Sequence, residues 1–312
     1  MSARARLGVA ALFVLGAIAV MAGTGVGVGR ARAQACCSGG GALTPWRLEH
    51  HEGWLVGLAT RVSPILGSFD ADAVYRASPD GVRETEAEAR LLGSARLHER
   101  VQLGVQVPFL LIDRTVRGDN ATGFGIADVA LGVRWDPIFV GERSGLPGIG
   151  LELGVVAPTG TAIEDSRRAL AVDATGLGAW QLGMMLALEH VLGADGQWLL
   201  SLRGGFDWRA PRTVDGVEVQ PGIEGRVSLG GALVLTDLTL AARLDWSWEG
   251  GDEVAGVATD RRLLALGLVL AVPLSEHWRA LASVASPLPI DELGQNRAFG
   301  IDLGLTIVFV GW

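Results

Sequence analysis

The stretch LTLAARLDWSWE, Leu238–Glu249, alternates between an apolar set of side chains and a mainly polar set. The apolar set ends in Trp246 and Trp248, whereas Arg243 and Asp245 belong to the other set. Successive side chains of a β-strand point to opposite faces, so each set lies on one face. A helix, with 3.6 residues per turn, would mix the two sets. The stretch therefore predicts a β-strand with one apolar and one charged face.

The same period of two recurs along the chain, most clearly in Trp198–Arg209, Thr85–Leu97, Val101–Phe109 and Ala127–Trp135. Bounded by turn-forming residues, the pattern predicts about twelve strands and an all-β, antiparallel, up-and-down fold. The predicted strands lie near residues 53–62, 84–97, 100–112, 124–135, 148–158, 175–190, 197–209, 223–236, 238–248, 262–273, 277–286 and 298–310.

The connections between these strands alternate in length. Short turns are expected at 98–99, 192–196, 236–237 and 274–277. The intervening connections are longer and rich in Gly, Pro, Asp and Arg, at 63–83, 113–123, 159–174, 210–222, 249–261 and 287–297. Only 136–147 is long where a short turn is expected. Short turns at one rim and long loops at the other are typical of a transmembrane β-barrel of the bacterial outer membrane.

The aromatic residues support the same interpretation, because they fall at the two ends of the predicted strands. One group lies at the turn ends: Trp54, Trp135, Trp198, Trp278 and Phe309. A second group lies near the loop ends: Phe109, Phe124, Phe206, Trp208, Trp246, Trp248 and Phe299. Trp prefers the headgroup level of a membrane, so a spanning barrel is expected to carry two such girdles. A soluble β-sandwich, the alternative, would scatter them through a core.

The N-terminus has the features of a targeting segment. Arg4 and Arg6 precede an apolar stretch, and small residues at 33–35 precede Cys36. We therefore expect a signal peptide at 1–35, a periplasmic N-terminal tail at 36–52 and the barrel at 53–312. An uncleaved anchor and a lipoprotein acylated at Cys36 remain alternatives.

Bulk properties narrow the possible partners. A chain of 312 residues with 49% hydrophobic and 19% charged residues is not expected to be disordered. Its net charge of −8 argues against nucleic acid as a partner, since a nucleic-acid binder needs a basic face. The expected partners are outer-membrane lipid and a small-molecule solute.

The polar face of the strands contains most of the charge. Against lipid, a charged side chain costs about 2–4 kcal/mol at the bilayer midplane, so we expect these residues to face the lumen. The predicted lumen-lining residues are Glu86, Glu88, Arg90, Asp128, Arg134, Glu152, Arg203, Asp207, Arg226, Arg243, Asp245 and Asp302. They either line an aqueous path that selects a small polar or amphipathic solute, or pair with one another and fill a closed barrel.

The sequence predicts no catalytic residues, no metal site and no cofactor. A barrel hydrolase needs a Ser activated by a His at the bilayer edge, and among the five histidines only His190 is on the lipid-facing parity. Cys36 and Cys37, with His50 and His51, offer soft ligands, but adjacent cysteines lack the spacing of a tetrahedral site.

Two motifs resemble a known family. The segment GFGIADVALGVRWD, Gly123–Asp136, and the turn Pro158-Thr159-Gly160 are similar to segments of the outer-membrane proteins grouped with the meta-cleavage pathway of phenol degradation. The resemblance implies a channel or transporter, often encoded beside pathways for aromatic compounds. The terminal Trp312 is similar to the signal that the barrel-assembly machinery recognises. We therefore expect a channel for small, aromatic or amphipathic solutes; the alternative is a structural or adhesive barrel with no open pore.

Overall fold

The computed structural model describes residues 42–143, 145–193, 196–214, 217–219, 222–235, 237–250, 253–254, 257–258 and 260–312. The expected signal peptide and the two cysteines lie outside these residues. Among the described residues, no helix has the length and apolar character needed to cross a membrane.

Twelve long antiparallel strands form one closed barrel, because each pairs with the next and the last pairs with the first. The predicted strand number and fold class are confirmed. The strands are β1 (Trp54–Phe69), β2 (Val82–His98), β3 (Val101–Val116), β4 (Val129–Ile138), β5 (Gly148–Ala157), β6 (Gln181–Leu192), β7 (Trp198–Arg209), β8 (Ile223–Val234), β9 (Thr239–Gly250), β10 (Arg261–Pro273), β11 (Trp278–Pro287) and β12 (Asp302–Gly311).

Shorter elements extend the rim at which the long connections lie, called here the loop end; the opposite rim is the turn end. The short strands are Tyr75–Ala77, Asp119–Ile126, Arg212–Val214, Val217–Val219, Glu253–Val254, Val257–Ala258, Gly294–Gln295 and Arg297–Gly300, and two single 3-10 turns lie at Ile163–Asp165 and Ala169–Ala171. The strand expected at 124–135 is thus two strands separated at residues 127–128. The strand expected to begin at 175 begins at Gln181, because residues 158–180 form a folded loop.

The outer face of the barrel is apolar, as a lipid-facing surface must be. Its large side chains are exposed, with Leu91 at 51%, Leu131 at 52% and Leu229 at 56% of their surface. Most of the predicted girdle aromatics share this face, and Trp54 packs against Phe309 with ring centroids 5.4 Å apart.

One aromatic assignment is wrong. Phe299 is buried and packs edge-on against Phe69 and Tyr75. The pairing register between β1 and the segment ahead of β12 shifts between Ile65 and Gly67, opposite Gly300 and Phe299, so the alternation of β12 does not continue through residue 299. A register shift of one residue moves a side chain to the other face, because the period is two.

The connection between β4 and β5 remains the long exception at the turn end. It is folded back onto the neighbouring turn, where Arg100 Nη2 donates to Glu142 Oε1 at 2.8 Å. Hydrogen bonds from Arg100 and from the backbone N–H of Phe139 lower the pKa of Glu142 to about 2.

Candidate functional site: the barrel interior

The charged face of the strands is the inner face. Arg203 on β7 contacts Glu152 on β5 at 2.8 Å, and Arg134 on β4 lies 3.9 Å from Glu189 on β6. Each of these contacts skips an intervening strand. Side chains of next-nearest strands diverge on the convex side of a barrel and converge on the concave side, so these four residues point inward.

The segment before β1 lies inside the turn end of the barrel. Arg47 pairs with Glu189, the backbone N–H of Leu48 donates to Gln102 Oε1 at 2.9 Å, and Ser94 Oγ donates to the carbonyl of Trp46 at 2.6 Å. The expectation of a periplasmic tail at 36–52 therefore needs correction over its described part. Residues 42–52, called here the inner segment, fold into the lumen instead of extending from it.

Apolar contacts hold both ends of the inner segment. Leu43 packs in a buried cluster with Leu199 and Ala232, and Leu48 in a second cluster with Leu55 and Val310. These partners belong to the inward parity of their strands. The apolar core of the protein thus lies at the turn end, where the inner segment meets the wall.

The ring of Trp46 lies against glycines of β3 and β4. A Cβ atom at Gly104 would come within 2.8 Å of Trp46 Cε3, and one at Gly132 within 3.9 Å of Trp46 Cη2. Real Cβ atoms essentially never approach another heavy atom to 2.8 Å, so any larger residue at position 104 would displace the ring. The wall is therefore shaped to receive the inner segment.

The carboxylates of the inner segment are engaged by the wall. Arg279 on β11 donates to Glu49 Oε1 at 2.5 Å and to Glu52 Oε1 at 2.7 Å, and Arg96 Nε donates to the carbonyl of Glu52 at 2.8 Å. Glu49, His51 and Glu52 bring their ligand atoms within 4.8 Å of one another, a spacing that could hold a metal ion. The Arg279 guanidinium already donates to both carboxylates, which favours an ion-pair cluster over a metal centre.

On β4, Arg134 is the centre of a buried network. Its side chain is only 1% exposed; Nε donates to Asp136 Oδ1 at 2.9 Å and Nη1 donates to Glu152 Oε1 at 2.6 Å. Arg203 joins the network through Glu152 and donates to Thr44 Oγ1 of the inner segment at 2.8 Å. Burial of this many charges requires such pairing, since an unpaired buried charge is strongly unfavourable.

Half-way along the barrel the inner charges are more exposed. On one wall, Arg61 donates to Glu88 Oε2 at 3.0 Å and to Asp302 Oδ1 at 3.2 Å, and Arg90 also binds Glu88. Arg61 and Arg90 are 39% and 40% exposed, whereas Glu88 is 10% exposed.

The wall across the barrel carries two further exposed arginines, Arg243 half-way along β9 and Arg226 nearer the loop end of β8. Arg226 binds Asp207, and Arg243 Nε lies 2.8 Å from Asp245 Oδ2. Arg226 is 48% exposed and Arg243 is 41% exposed. We call the four residues Arg61, Arg90, Arg226 and Arg243, with their carboxylate partners, the mid-barrel belt.

A second buried cluster lies near the loop end. Glu249, whose side chain is fully buried, accepts from Arg209 on β7 and from Arg297 Nη2 at 2.9 Å, and Arg209 also binds Glu224 at 2.7 Å. Arg297 precedes β12, three strands from β9, so this contact also crosses the interior.

The twelve residues predicted to line the lumen separate into three groups. Arg134, Glu152 and Arg203 belong to the buried network. The mid-barrel belt contains Glu88, Arg90, Asp207, Arg226, Arg243, Asp245 and Asp302. Glu86 lies on the same inner face of β2 as Glu88. Asp128 differs, because both its carboxylate oxygens accept backbone N–H groups of the folded loop, from Gly160 at 2.9 Å and Leu177 at 2.7 Å.

Sequence reasoning missed several residues of the interior. Arg61 lies in β1, where Trp54, Val56 and Leu58 alternate as an outward set, so the period of two could have placed it on the inner face. Trp46 and Arg47 precede the first strand and have no period, so nothing in the sequence indicated their position.

A closed antiparallel barrel with an apolar outer face and a charged interior is an outer-membrane β-barrel of the kind that channels and porins form. The predicted bacterial outer-membrane location follows from this class.

The comparisons identify the family. Residues 82–303 match a family described as "Putative MetA-pathway of phenol degradation". The match spans more than half of the chain, so the chain belongs to this family, as its two motifs predict. No curated protein matches the chain.

Solved structures share the fold at low identity. The COG4313 outer membrane channel from Pseudomonas putida F1 is 16% identical, with a TM-score of 0.67 over 83% of this chain and 96% of that one. The translocator domain of the autotransporter NalP from Neisseria meningitidis is 10% identical, with a TM-score of 0.50 over 86% and 92% of the two chains. At these identities the likeness concerns the barrel fold.

Proposed function

We propose that the protein is a passive outer-membrane channel for small amphipathic solutes, aromatic compounds included, and has no catalytic activity. The observation that supports the proposal most directly is the exposure of the mid-barrel belt. Arginine side chains that are 39–48% exposed on an inner face meet water or solute, and not lipid.

The chemistry of the belt suits a solute with both polar and apolar parts. A guanidinium has five N–H donors in a plane, and one carboxylate partner uses at most two of them. The remaining donors can bind a hydroxyl or carboxylate group of a passing solute. The faces of the guanidinium and its aliphatic stem can contact an aromatic ring.

The inner segment is the barrier that a solute would meet at the turn end. Its contacts with Glu189, Gln102 and Ser94 fix it in the lumen, so we propose that transport requires the segment to move within the barrel. Solute that reaches the mid-barrel belt from the loop end would then leave on the turn side.

The proposal is tested by recording the purified protein in planar lipid bilayers and by measuring solute-induced swelling of proteoliposomes. Arg243→Ala is expected to change conductance and ion selectivity, since it removes an exposed inward charge. The matched control is Arg262→Ala, one strand away on the outward parity, which should leave both unchanged. Absence of conductance and of swelling in the wild type and in variants that unseat the inner segment would refute a transport function.

A structural or adhesive barrel is the second candidate. The extent of the buried network around Arg134, together with the inner segment, favours it, because both fill the lumen as a closed barrel requires. It predicts that loop truncation abolishes binding of a partner while the barrel stays resistant to SDS.

The non-catalytic part of the proposal rests on His190. On the outward parity of β6 it lies opposite Leu200 and, within the described residues, no serine hydrogen-bonds to it. Phospholipid turnover that is lost in His190→Ala would contradict this part. We further propose that the barrel-assembly machinery reads the β12 end of the chain at Trp312, and that nucleic acid is not a partner.

A further inference from the structure

The loop between β5 and β6, residues 158–180, folds onto the inner face of the barrel wall. A Cβ atom at Gly123 would lie 2.1 Å from the carbonyl oxygen of Val172, and one at Gly125 would lie 3.2 Å from Thr175 Cγ2. Gly123 pairs with Ile112 of β3, which points to the same face as the inward-pointing Arg114. Gly123 and Gly125 therefore face the lumen. Val172 itself is 1% exposed.

Arg114 holds the tip of this loop. Its Nη1 donates to the carbonyls of Leu170 at 2.9 Å and Ala171 at 3.2 Å, while its Nη2 donates to Glu84 Oε1 at 2.7 Å. Leu170 and Ala171 have φ angles of 58° and 49°, a left-handed conformation that is unfavourable for side chains larger than glycine. The tip is therefore under strain, and Arg114 compensates part of that strain.

The base of the loop is fixed by the two family motifs, which contact each other. Asp128 accepts the backbone N–H groups of Gly160 and Leu177, Thr159 Oγ1 donates to the carbonyl of Ala127 at 2.7 Å, and Thr159 Oγ1 accepts the N–H of Val129 at 3.0 Å. The base and the tip of the loop are thus held by separate sets of contacts, so the contacts of the tip can be removed while those of the base remain.

Hydrogen bonds between residues of the tip hold its conformation. Asp173 accepts from Ser166 Oγ and from the backbone N–H groups of Arg167 at 3.0 Å and Arg168 at 3.3 Å. These bonds lower the pKa of Asp173 to about 2, so the tip keeps its shape at neutral pH. These bonds therefore hold the tip together as one unit.

We propose that residues 158–180 form a constriction loop that sets the size limit of the path at the loop end, and that Arg114 is the residue that positions it. The inference deepens the proposed channel function and rests on it. Asp128, which was predicted to line the lumen, acts through this loop as its anchor.

Two variants test the proposal by different physical means. Arg114→Ala removes the donors that hold the tip, and its control is Arg83→Ala, an exposed arginine on β2. Gly123→Ala adds a Cβ that cannot coexist with the Val172 carbonyl and changes no charge. Its control is Gly154→Ala, where the nearest heavy atom would be 3.7 Å away, an ordinary contact.

Two measurements are made on each variant in proteoliposomes. The first is the mobility of a spin label at position 169 in the full chain, with Cys36 and Cys37 replaced by serine. The second is the largest neutral sugar that causes swelling. Loss of the two Arg114 hydrogen bonds to the tip corresponds to at least about a tenfold rise in the released population. The added Cβ of Gly123→Ala excludes the seated tip sterically, so both test variants should show a mobile label and admit larger sugars. The controls should match the wild type.

The outcomes separate the positioning role of Arg114 from the constriction role of the loop. An unchanged label in Arg114→Ala refutes the positioning role. A mobile label with an unchanged sugar limit refutes the constriction. If no protein admits any sugar, even with the inner segment unseated by Arg47→Ala, the transport function fails and the constriction with it, while the label still decides whether Arg114 positions the loop.

Discussion

Replacing Arg47 by alanine is predicted to unseat the inner segment. Arg47 is 8% exposed and pairs with Glu189, which is 4% exposed, so the substitution leaves a buried carboxylate without its nearest partner. Removal of one partner from a buried ion pair costs about 3–5 kcal/mol. The lower end applies here, because Arg134 Nη2 remains 3.9 Å from the same carboxylate. When the segment leaves the lumen, water solvates the Glu189 carboxylate. The substitution therefore destabilises only the seated state.

A change of about 3 kcal/mol shifts the equilibrium between seated and unseated segment about a hundredfold. Single-channel recording measures this as the fraction of time spent in the conducting state. The control is Arg100→Ala, which breaks the turn-end pair with Glu142; both side chains of that pair are about a third exposed, and such pairs contribute about 0–1 kcal/mol. If Arg47→Ala and wild type show the same open fraction while Gly104→Ala conducts, the Arg47 pair does not hold the segment.

Three further predictions concern the wall, the loop-end cluster and pH. Gly104→Ala should raise the open fraction, because its Cβ would meet the Trp46 ring at 2.8 Å; single-channel recording checks it, and an unchanged open fraction would contradict the fit. Glu249→Gln should lower the temperature at which the barrel loses its folded band in SDS gels, since about 3–5 kcal/mol depends on a buried charge with three arginine partners; an unaltered band would count against it. The pKa of Glu142 is depressed to about 2. The stabilisation that its ionised form gives is therefore fully present above the ordinary pKa of a glutamate and is lost as pH falls through about 2. We expect the mobility of a spin label in the 139–147 turn to be constant from about pH 7 to about pH 5.

The barrel itself could be predicted from the sequence because its determinants are local. In β9, Arg243 and Asp245 face inward and Trp248 faces outward, as the period of two requires. The same rule failed where the backbone departs from a regular strand. Phe299 lies opposite the register shift between Ile65 and Gly67, and Asp128 lies between two strand segments, so neither could be assigned by alternation.

The inner segment was not predictable, and the reason is physical. Its position is decided by contacts with distant residues, among them Gln102, Glu189 and Arg203 at separations of 54, 142 and 159 positions in the chain, and its own sequence has no period. Nothing in residues 42–52 alone distinguishes a segment inside the lumen from one in the periplasm. The sequence signal for its position lies in the barrel wall, where glycines occupy inward-facing positions.

That signal is a row of glycines across four neighbouring strands. Gly104 pairs with Gly132, Gly132 with Gly154, and Gly154 with Gly183, all on the inward parity. A barrel closed by its own side chains would need bulk at these positions, as filled small barrels show. Here the space next to the first two glycines is filled by Trp46. The inner segment is thus part of the folded structure, and its removal would leave Glu189 without Arg47 and the glycine row without its covering ring. We therefore expect deletion of 42–52 to lower stability as well as to open the turn end. Substitutions at positions 47 and 104, which leave the segment in the chain, separate these two effects.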